Sequence, residues 1–286
     1  MTNNTTDSGS GTHTRVPQVD LDAYFARIGY QGPRDATLET LRTIHLLHPQ
    51  AIPFENLDPL MHRPVPLDLD SLQQKLVLGF RGGYCYEQNT LLSHVLGRLG
   101  FRITSLAARV IWNNPDDHVS PRNHMLLRVT LEDGDYIADA GFGGLTQTGP
   151  LRLDADHVQV TSHGSYRLLA DGDGFRLQAR LHTQWKTLYR FDLTPQFPID
   201  HEVANHFVAT YPDSLFRKSL MLARVLPAGR FSLLNNRLTI YSAEGDAERR
   251  NVSSVAEFHD ILENLFGVAL PDRAKLDAAL TRIVFI

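Results

Sequence analysis

A single thiol stands out in the chain because of the residues around it. Cys85 is the only cysteine among 286 residues and lies in the stretch RGGYCYEQNTLL, residues 81–92. Gly82 and Gly83 allow a tight turn with room for a ligand, and a leucine-rich helical pattern follows at 86–99. A helix start favours thiolate over thiol, and its unpaired N–H groups suit a developing oxyanion. From these residues alone, a nucleophile and an ordinary buried cysteine are equally good interpretations.

A cysteine nucleophile requires a histidine, and the histidine requires an orienting carboxylate or amide. Of the 13 histidines, His124 is well placed because it begins the alternating stretch HMLLRVTL. Asp139 lies across a hairpin with Asp133-Gly134 as its turn, and by parity it shares a face with His124. The simplest register pairs Arg128 with Asp139, which leaves His124 about 13 Å along the strand from Asp139. Direct contact therefore requires a longer turn, a β-bulge or strong twist.

Three regions of different periodicity must position these residues. Residues 18–100 are mostly helical in pattern, and the period changes to two from about 101 to 205, with Asp-Gly turns. This second region is typical of an antiparallel barrel or sandwich. From about 206 to 286 hairpin and helix patterns are mixed, as in RFSLLNNRLTIYSA, the capping-box sequence SVAE and PDRAKLDAALTRI. The predicted helix N-caps of the first region are Asp20, Thr37 and Asp70.

Composition is that of an ordinary globular protein and excludes several classes. The net charge is −4, 42% of residues are hydrophobic, and basic residues are scattered, which argues against binding to nucleic acid or an anionic membrane. The sequence contains no apolar run long enough for a transmembrane helix, and residues 1–16 read as a polar, disordered tail without a signal peptide. A lone cysteine forms no internal disulfide, which favours a cytoplasmic location. The oligomeric state is left open.

Five segments, in order, resemble those of the arylamine N-acetyltransferases. They are IPFENLD at 52–58, RGGYCYEQN, HMLL, ADAGFGG, and ATYPDSLF at 209–216, with 39 residues from Cys85 to His124 and 15 from His124 to Asp139. The motifs span about residues 20–270. The resemblance implies an α+β fold with a papain-like cysteine catalytic core. Its implied parts are an N-terminal helical bundle at 17–104, an antiparallel β-barrel at 105–205 and a C-terminal α/β lid at 206–286.

The resemblance also implies a Cys-His-Asp triad and a ping-pong reaction. Cys85 would accept the acetyl group, His124 would activate it, and Asp139 would orient the imidazole, so Asp139 should reach His124. Acetyl-CoA would be the co-substrate, and an aromatic amine, hydrazine or N-hydroxyarylamine would take the acetyl group. No metal is implied.

Other matching positions are implied more weakly. Residues that would line the arylamine pocket are Phe54, Val110, Phe142 and Phe216, although ordinary core packing also explains Phe54 and Val110. Gly143 and Gly144 would leave space for the CoA arm. Arg81 and Glu55 are expected to form a scaffold ion pair, and Glu87 is not expected to be catalytic because Asp139 is the better orienting partner.

Three positions depart from the family pattern: Asn123 where Thr is usual, His206 where Trp is usual, and Tyr211 where His is usual. They leave the CoA contacts and the preferred acceptor open. Three other interpretations also remain at this point: an amide synthase of the same family, a hydrolase with the same triad, and a cleft that only binds aromatic amines or CoA.

Overall fold

The computed structural model describes residues 18–242 and 247–284. The tail expected at 1–16 lies outside the described residues. Within the described ranges, a helical region, an antiparallel sheet and a mixed α/β region follow one another along the chain.

Helices dominate the first region. Their bounds are α1 (Leu21–Ile28), α2 (Leu38–Ala51), α3 (Leu57–Leu60), α4 (Leu69–Leu72) and α5 (Cys85–Arg98), and a short strand β1 (Phe54–Glu55) precedes α3. α4 continues as a π-helical turn, Gln73–Leu78. The predicted caps Asp20 and Thr37 are confirmed, since each side chain accepts a hydrogen bond from an N–H three residues on. The predicted cap Asp70 is wrong: Asp68 has the extended backbone of a cap and accepts from the Ser71 N–H at 2.9 Å.

An eight-stranded antiparallel sheet forms the second region. Its strands are β2 (Arg102–Val110), β3 (Arg122–Leu131), β4 (Gly134–Ala138), β5 (Leu151–Arg152), β6 (Val158–Thr161), β7 (Gly164–Asp171), β8 (Gly174–Leu181) and β9 (Gln184–Asp192). Their order is β5-β4-β3-β2-β9-β8-β7-β6. The end strands are bridged by the Gln159 side chain, which accepts from the Arg152 N–H at 2.7 Å and donates to the Arg152 carbonyl at 2.9 Å. The sheet is therefore a nearly closed barrel.

The β3–β4 hairpin has a different register from the simplest prediction. Arg128 pairs with Ile137 rather than with Asp139. Leu131 pairs with Gly134, so the turn residues are Glu132 and Asp133 and Gly134 begins β4. Gly134 has a φ of +137°, which glycine adopts far more readily than other residues. Asp139 is thereby moved two residues closer to His124 along the sheet. The two become diagonal neighbours on one face, within reach of long side chains.

Helices and a second sheet form the third region. Its elements are α6 (Pro198–Thr210), α7 (Leu215–Lys218), β10 (Met221–Leu226), β11 (Gly229–Leu234), β12 (Arg237–Ser242), β13 (Ala247–Asn251), α8 (Val255–Asp260) and α9 (Arg273–Val284). α8 continues as a π-helical turn, Ile261–Leu265. The predicted hairpin (β11–β12), the Ser254 cap and the closing helix are confirmed. The strand pattern ends earlier than 205, since β9 ends at Asp192 and α6 follows; the three domain bounds stay a prediction.

The first region contributes a strand to the sheet of the third. β1 pairs with β10, and the sheet order is β1-β10-β11-β12-β13. Apolar side chains form three clusters: one among the helices and the outer face of β3, one inside the barrel-like sheet, and one in the third region with α3. A cleft lies where the three regions meet, and Cys85 and His124 both line it.

Candidate active site

Cys85 is the first residue of α5 and is buried, with 3% of its surface exposed. Its thiol donates to the Asn123 carbonyl at 3.9 Å and also hydrogen-bonds the His124 ring. The predicted helix start at the thiol is confirmed. The Glu87 carboxylate, two residues further, accepts from the Tyr84 N–H at 3.1 Å and so caps the helix start.

His124 and Asp139 are in direct contact. His124 Nε2 lies 2.7 Å from an Asp139 carboxylate oxygen, and both residues are buried. Besides the register of β4, an extra residue in β3 shapes this contact, because Ala108 of β2 pairs with His124 whereas Arg109 pairs with Arg122. Such a bulge re-aims neighbouring side chains. Since Nε2 faces Asp139, Nδ1 is the nitrogen left to face the thiol.

The Asp139 carboxylate receives four hydrogen bonds. One oxygen accepts from His124 and from the Tyr189 hydroxyl at 3.1 Å, and the other accepts from the Asn89 amide and the Gly141 N–H, both at 2.9 Å. Asn89 and Tyr189 were not expected. Asn89 could have been found, since it lies four residues after Cys85 on the same helix face. Tyr189 carried no such signal, because its position depends on long-range strand pairing.

Electrostatics favour a charged His124–Asp139 pair. Burial alone lowers the pKa of His124, but the Asp139 carboxylate, its hydrogen bond and Cys85 raise that pKa well above its usual value. Burial raises the pKa of Asp139, but His124 and the Asn89 and Gly141 donors lower it further than burial raises it. An imidazolium therefore stands beside the thiol, which is the setting a thiolate nucleophile needs.

A neutral histidine accepts a hydrogen bond from the backbone of Asp139. The Asp139 N–H donates to His45 Nε2 at 3.0 Å. Burial lowers the pKa of His45 to about 4, so its ring stays neutral and can accept this hydrogen bond. The backbone of Asp139 is thus fixed independently of its side chain.

A buried ion cluster lies beneath the start of α5. Arg81 Nε donates to Glu55 at 2.8 Å and its Nη2 lies 3.1 Å from Asp58, while Lys75 Nζ lies 2.6 Å from both Asp58 and Glu87. The expected Arg81–Glu55 ion pair is confirmed. Burial raises the pKa of Glu87 to about 7, with Lys75 opposing this shift. Because Glu87 contacts Lys75 and the helix start, its observed role is structural.

Gly82 and Gly83 do not provide room for a ligand, so that prediction is wrong. A Cβ on Gly82 would lie 2.1 Å from the Pro53 carbonyl oxygen, and one on Gly83 would lie 2.7 Å from the Glu87 carboxylate. The space beside these glycines is filled by the protein's own chain. Gly141 has the closer relation to the thiol, since a Cβ there would lie 2.6 Å from Cys85 Cα.

The cleft holds the predicted pocket residues together. Its volume is about 1290 Å³. The predicted residues that line it, beside Cys85 and His124, are Phe54, Val110, Phe142, Gly143, Gly144 and Phe216. The Phe54 and Phe216 rings lie 6.3 Å apart, and Phe142 meets His124 edge-on at 5.4 Å. Gly143 has a φ of +91° and faces the Phe54 ring, so a side chain there would be strained.

One arginine ties the glycine loop to the third region. Arg230 of β11 is buried and donates to the Gly144 carbonyl at 3.3 Å, the His163 carbonyl at 3.0 Å and the Tyr166 hydroxyl at 2.8 Å. His163 in turn contacts the Leu226 carbonyl at 2.9 Å through Nε2. These contacts fix the loop that follows Asp139 against β11.

Comparison with known proteins decides the family. A family model described as N-acetyltransferase matches residues 37–275. An arylamine N-acetyltransferase of Escherichia coli (strain K12) is 45% identical over 88% of this chain and 90% of its own. A structure of Mycobacterium marinum arylamine N-acetyltransferase in complex with CoA has a TM-score of 0.89 at 40% identity, covering 92% of this chain and 99% of that one. The chain belongs to the arylamine N-acetyltransferase family.

Membership confirms the resemblance found in the sequence and the α+β fold expected of an arylamine N-acetyltransferase. A Salmonella typhimurium relative, named arylamine N-acetyltransferase / N-hydroxyarylamine O-acetyltransferase, is 44% identical over 88% of this chain and 90% of its own. Among the described residues no helix is long and apolar enough to cross a membrane. Within those same ranges, no three His, Cys, Asp or Glu side chains are grouped to hold a metal ion.

The three departures from the family pattern lie in different settings. Asn123 meets the thiol through its backbone carbonyl, so the change of side chain from the usual Thr leaves that contact intact. His206 is exposed on α6, and Tyr211 is exposed at the C-terminal end of this helix. Neither contacts the His124–Asp139 pair.

Proposed function

We propose that this chain transfers an acetyl group from acetyl-CoA to aromatic amines through a thioester on Cys85. The observation that carries the proposal is the 2.7 Å contact between His124 and Asp139 beside a thiol that opens onto the cleft. A cleft that only binds ligands would have no use for a buried imidazolium next to a nucleophile. The roles of the three residues are part of this proposal.

The first half-reaction forms the thioester. The Cys85 thiolate attacks the acetyl carbonyl of acetyl-CoA, a carbon–sulfur bond to Cys85 forms, and the bond to the CoA sulfur breaks. The His124 imidazolium gives its proton to the departing thiolate, so CoA leaves as a thiol and the imidazole becomes neutral. Exchange of one thioester for another is nearly balanced in free energy.

The second half-reaction transfers the acetyl group to nitrogen. The amine attacks the thioester carbonyl, neutral His124 takes the amine proton, and the amide leaves as the carbon–sulfur bond breaks. Cys85 returns to the thiolate and His124 to the imidazolium, so the starting state is restored. The amide is more stable than the thioester, which drives the sequence forward.

The charge of the cleft supports a phosphate-bearing donor. Its arginines are Arg180, Arg230, Arg237 and Arg249, and no Asp or Glu is among the described residues that line it. Arginine is well suited to phosphate. Gly143 and Gly144 line the same cleft as Cys85 and these arginines, and in our assignment they would leave space for the CoA arm. The structure of the M. marinum relative in complex with CoA supports this assignment.

The shape of the cleft near Cys85 supports a flat acceptor. Phe54, Val110, Phe142 and Phe216 offer apolar and aromatic faces there. We also propose hydrazines and N-hydroxyarylamines as acceptors of the acetyl group, since both carry a nucleophilic nitrogen or oxygen atom. We place the reaction in the cytoplasm, where a free thiol stays reduced.

Intact-protein mass spectrometry tests the proposal. Incubation with acetyl-CoA alone should add one acetyl group to the wild type, and addition of an arylamine should remove it with formation of the amide. Cys85→Ser should show no acetylation, and His124→Gln should show far less. A folded wild type that stays unmodified at every pH would overturn the mechanism, and loss of the acetyl group to water as fast as to amine would indicate a hydrolase instead.

A further inference from the structure

Arg230 of β11 differs from the other arginines of the cleft in its burial and its partners. The other three arginines described there are exposed, whereas only 7% of the Arg230 surface is exposed. Its Nε, Nη1 and Nη2 atoms all donate hydrogen bonds to neutral oxygen atoms of the chain. The acceptors are the His163 and Gly144 carbonyls and the Tyr166 hydroxyl. A guanidinium whose donors are engaged in this way has less to offer to a phosphate than an exposed one.

Loop 143–146, which follows Asp139 and lies at the cleft, is held through its backbone carbonyl groups. Arg230 donates to the Gly144 carbonyl at 3.3 Å. The Tyr166 hydroxyl donates to the next two carbonyls along the chain, at 3.1 and 3.0 Å. The remaining carbonyl, at position 143, accepts a backbone N–H from within the loop at 3.0 Å. The position of the loop relative to the rest of the protein therefore depends on Arg230 and Tyr166.

Arg230 and Tyr166 are linked to each other. Arg230 Nη2 donates to the Tyr166 hydroxyl oxygen at 2.8 Å, and both side chains are buried. Burial raises the pKa of Tyr166 more than the Arg230 cation lowers it, so the hydroxyl keeps the proton that it donates to the loop. A charged donor makes a stronger hydrogen bond than a neutral one and polarises the next bond of a chain. The two side chains therefore act on the loop as one unit.

Loop 143–146 is continuous with groups beside the thiol. Phe142, the residue before the loop, meets the His124 ring edge-on at 5.4 Å and lines the cleft with the two glycines of the loop. At the other end of the loop, Thr146 Oγ1 donates to the Asp139 carbonyl at 2.8 Å. A displaced loop would therefore move the cleft wall against which a substrate rests while its reacting atom meets Cys85.

We propose that Arg230 is a positioning residue for acetyl transfer, which holds loop 143–146 at the cleft wall and makes no contact with the phosphates of the donor. The inference rests on the proposed acetyl transfer, and it leaves the phosphates to the three exposed arginines. Because Arg230 acts through the loop, its loss should slow the reaction of Cys85 with any acetyl donor, with or without phosphates. A phosphate contact would matter for acetyl-CoA alone.

Acetylation of Cys85 by two donors tests the proposal. One donor is acetyl-CoA and the other is p-nitrophenyl acetate, an aryl ester without phosphate, from which the thiolate takes the acetyl group as p-nitrophenolate leaves. Arg230→Gln should slow both reactions at least about tenfold, since buried carbonyl groups lose a charged donor. Arg230→Lys keeps the charge but not the planar fork, so it should also slow both. An unchanged ester reaction in Arg230→Gln, or an acetyl-CoA reaction restored in Arg230→Lys, would overturn the proposal.

Arg224→Gln is the matched control. Arg224 lies in the same sheet, on β10, and donates to the Gln50 and Leu265 carbonyls at 3.0 and 3.2 Å, but it does not line the cleft. Its replacement should leave both acetylation rates unchanged, and slowing equal to that in Arg230→Gln would show a general effect of lost packing. Labelling measured in Cys85→Ser is subtracted as reaction at other nucleophiles.

Two further measurements separate the loop from the thiol. Tyr166→Phe should slow both donors, and the double variant with Arg230→Gln should be about as slow as the slower single variant, because the pair acts as one unit. Fully multiplying effects would contradict this. Alkylation of Cys85 by iodoacetamide should keep its wild-type rate and pH profile in Arg230→Gln, and its loss would overturn a role limited to the loop. Failure of the proposed function would show differently, as a wild type that the ester acetylates and acetyl-CoA does not.

Discussion

Asn89 lies one helical turn after Cys85 on α5 and donates its amide to the Asp139 carboxylate at 2.9 Å. The same amide donates to the Met125 carbonyl at 2.7 Å, and its oxygen accepts from the Ala140 N–H at 3.0 Å. One side chain therefore joins the helix that carries the thiol to the strand that carries His124 and to the segment after β4. The relative placement of the three proposed reacting residues depends on it.

Replacement of this amide should slow acetyl transfer without unfolding the protein. Asn89→Ala removes a hydrogen bond to a charged acceptor, worth about 1.5–3 kcal/mol, so kcat/KM for acetyl-CoA should fall about 10–100-fold. The acid limb of the pH–rate profile should move to higher pH, because the amide helps to lower the pKa of Asp139.

The matched control for this change is Asn264→Ala. Like Asn89, Asn264 donates its amide to a carboxylate. Its acceptor is Asp260, four residues earlier at 2.8 Å, and this hydrogen bond is exposed. Its replacement should leave kcat/KM and the pH profile unchanged. Equal effects of the two substitutions would show that Asn89 does not position Asp139.

A methyl group at position 141 should disturb the thiol directly. A Cβ on Gly141 would lie 2.6 Å from Cys85 Cα, so Gly141→Ala must displace the start of α5, at about 1–3 kcal/mol. Thioester formation, followed by mass spectrometry over time, should slow at least about tenfold. Gly97→Ala, further along α5 and outside the cleft, is the control, because its Cβ would meet only Ile103 Cδ1 at 4.0 Å. Unchanged labelling of Gly141→Ala would mean that α5 does not need its present position.

The ion cluster under α5 should contribute strongly to stability. Arg81→Gln leaves the buried Glu55 carboxylate without its cation and should lower the free energy of unfolding by about 3–5 kcal/mol in urea titrations. Arg273→Gln removes an exposed pair with Glu263 and should change it by less than about 0.5 kcal/mol. A loss below about 1 kcal/mol for Arg81→Gln would contradict the buried cluster.

Two buried histidines should make the fold sensitive to mild acid. Burial lowers the pKa of both His45 and His48 to about 4, from 6.5. Since the unfolded chain binds these protons first, their contribution is fully present above pH 6.5. It should be lost as the pH falls toward 4, by about 1.4 kcal/mol per pH unit for each histidine.

Urea unfolding at several pH values between 7.5 and 5 checks this slope. His48→Gln should lower the free energy of unfolding overall. It should also make the slope of this free energy against pH smaller by the equivalent of about one bound proton. His157→Gln, at an exposed histidine, should leave the slope as in the wild type. An unchanged slope in His48→Gln would contradict a neutral buried ring.

Much of the fold follows from local signals. The caps Asp20 and Thr37 and the helix that begins at Cys85 depend on residues within one turn, so the sequence predicts them directly. The β11–β12 hairpin is local in the same sense. Cys85 and the need for a histidine and a carboxylate partner were also readable from the chain.

The parts that could not be predicted depend on distant contacts. The β3–β4 register depends on Gly134 being part of the strand rather than of the turn. The extra residue beside His124 can be recognised only from the pairing of β3 with β2. Tyr189 reaches Asp139 because β9 pairs with β2, far along the chain. Gly82 was misread because Pro53, which fills the space beside it, lies in another segment.

The junction between the barrel-like sheet and β11 has a consequence for motion. Arg230 and His163 join the two parts through hydrogen bonds to carbonyl and hydroxyl groups. Water can replace such bonds more easily than it can enter an apolar core. β1 and α3 of the first region share the sheet and the apolar cluster of the third region, so these parts stay together. β11 and β12 can therefore loosen from the barrel-like sheet while Cys85, His124 and Asp139 keep their places. Amide hydrogen exchange in β11 and β12 would then be faster than in α5, and it would slow when a ligand spans the junction.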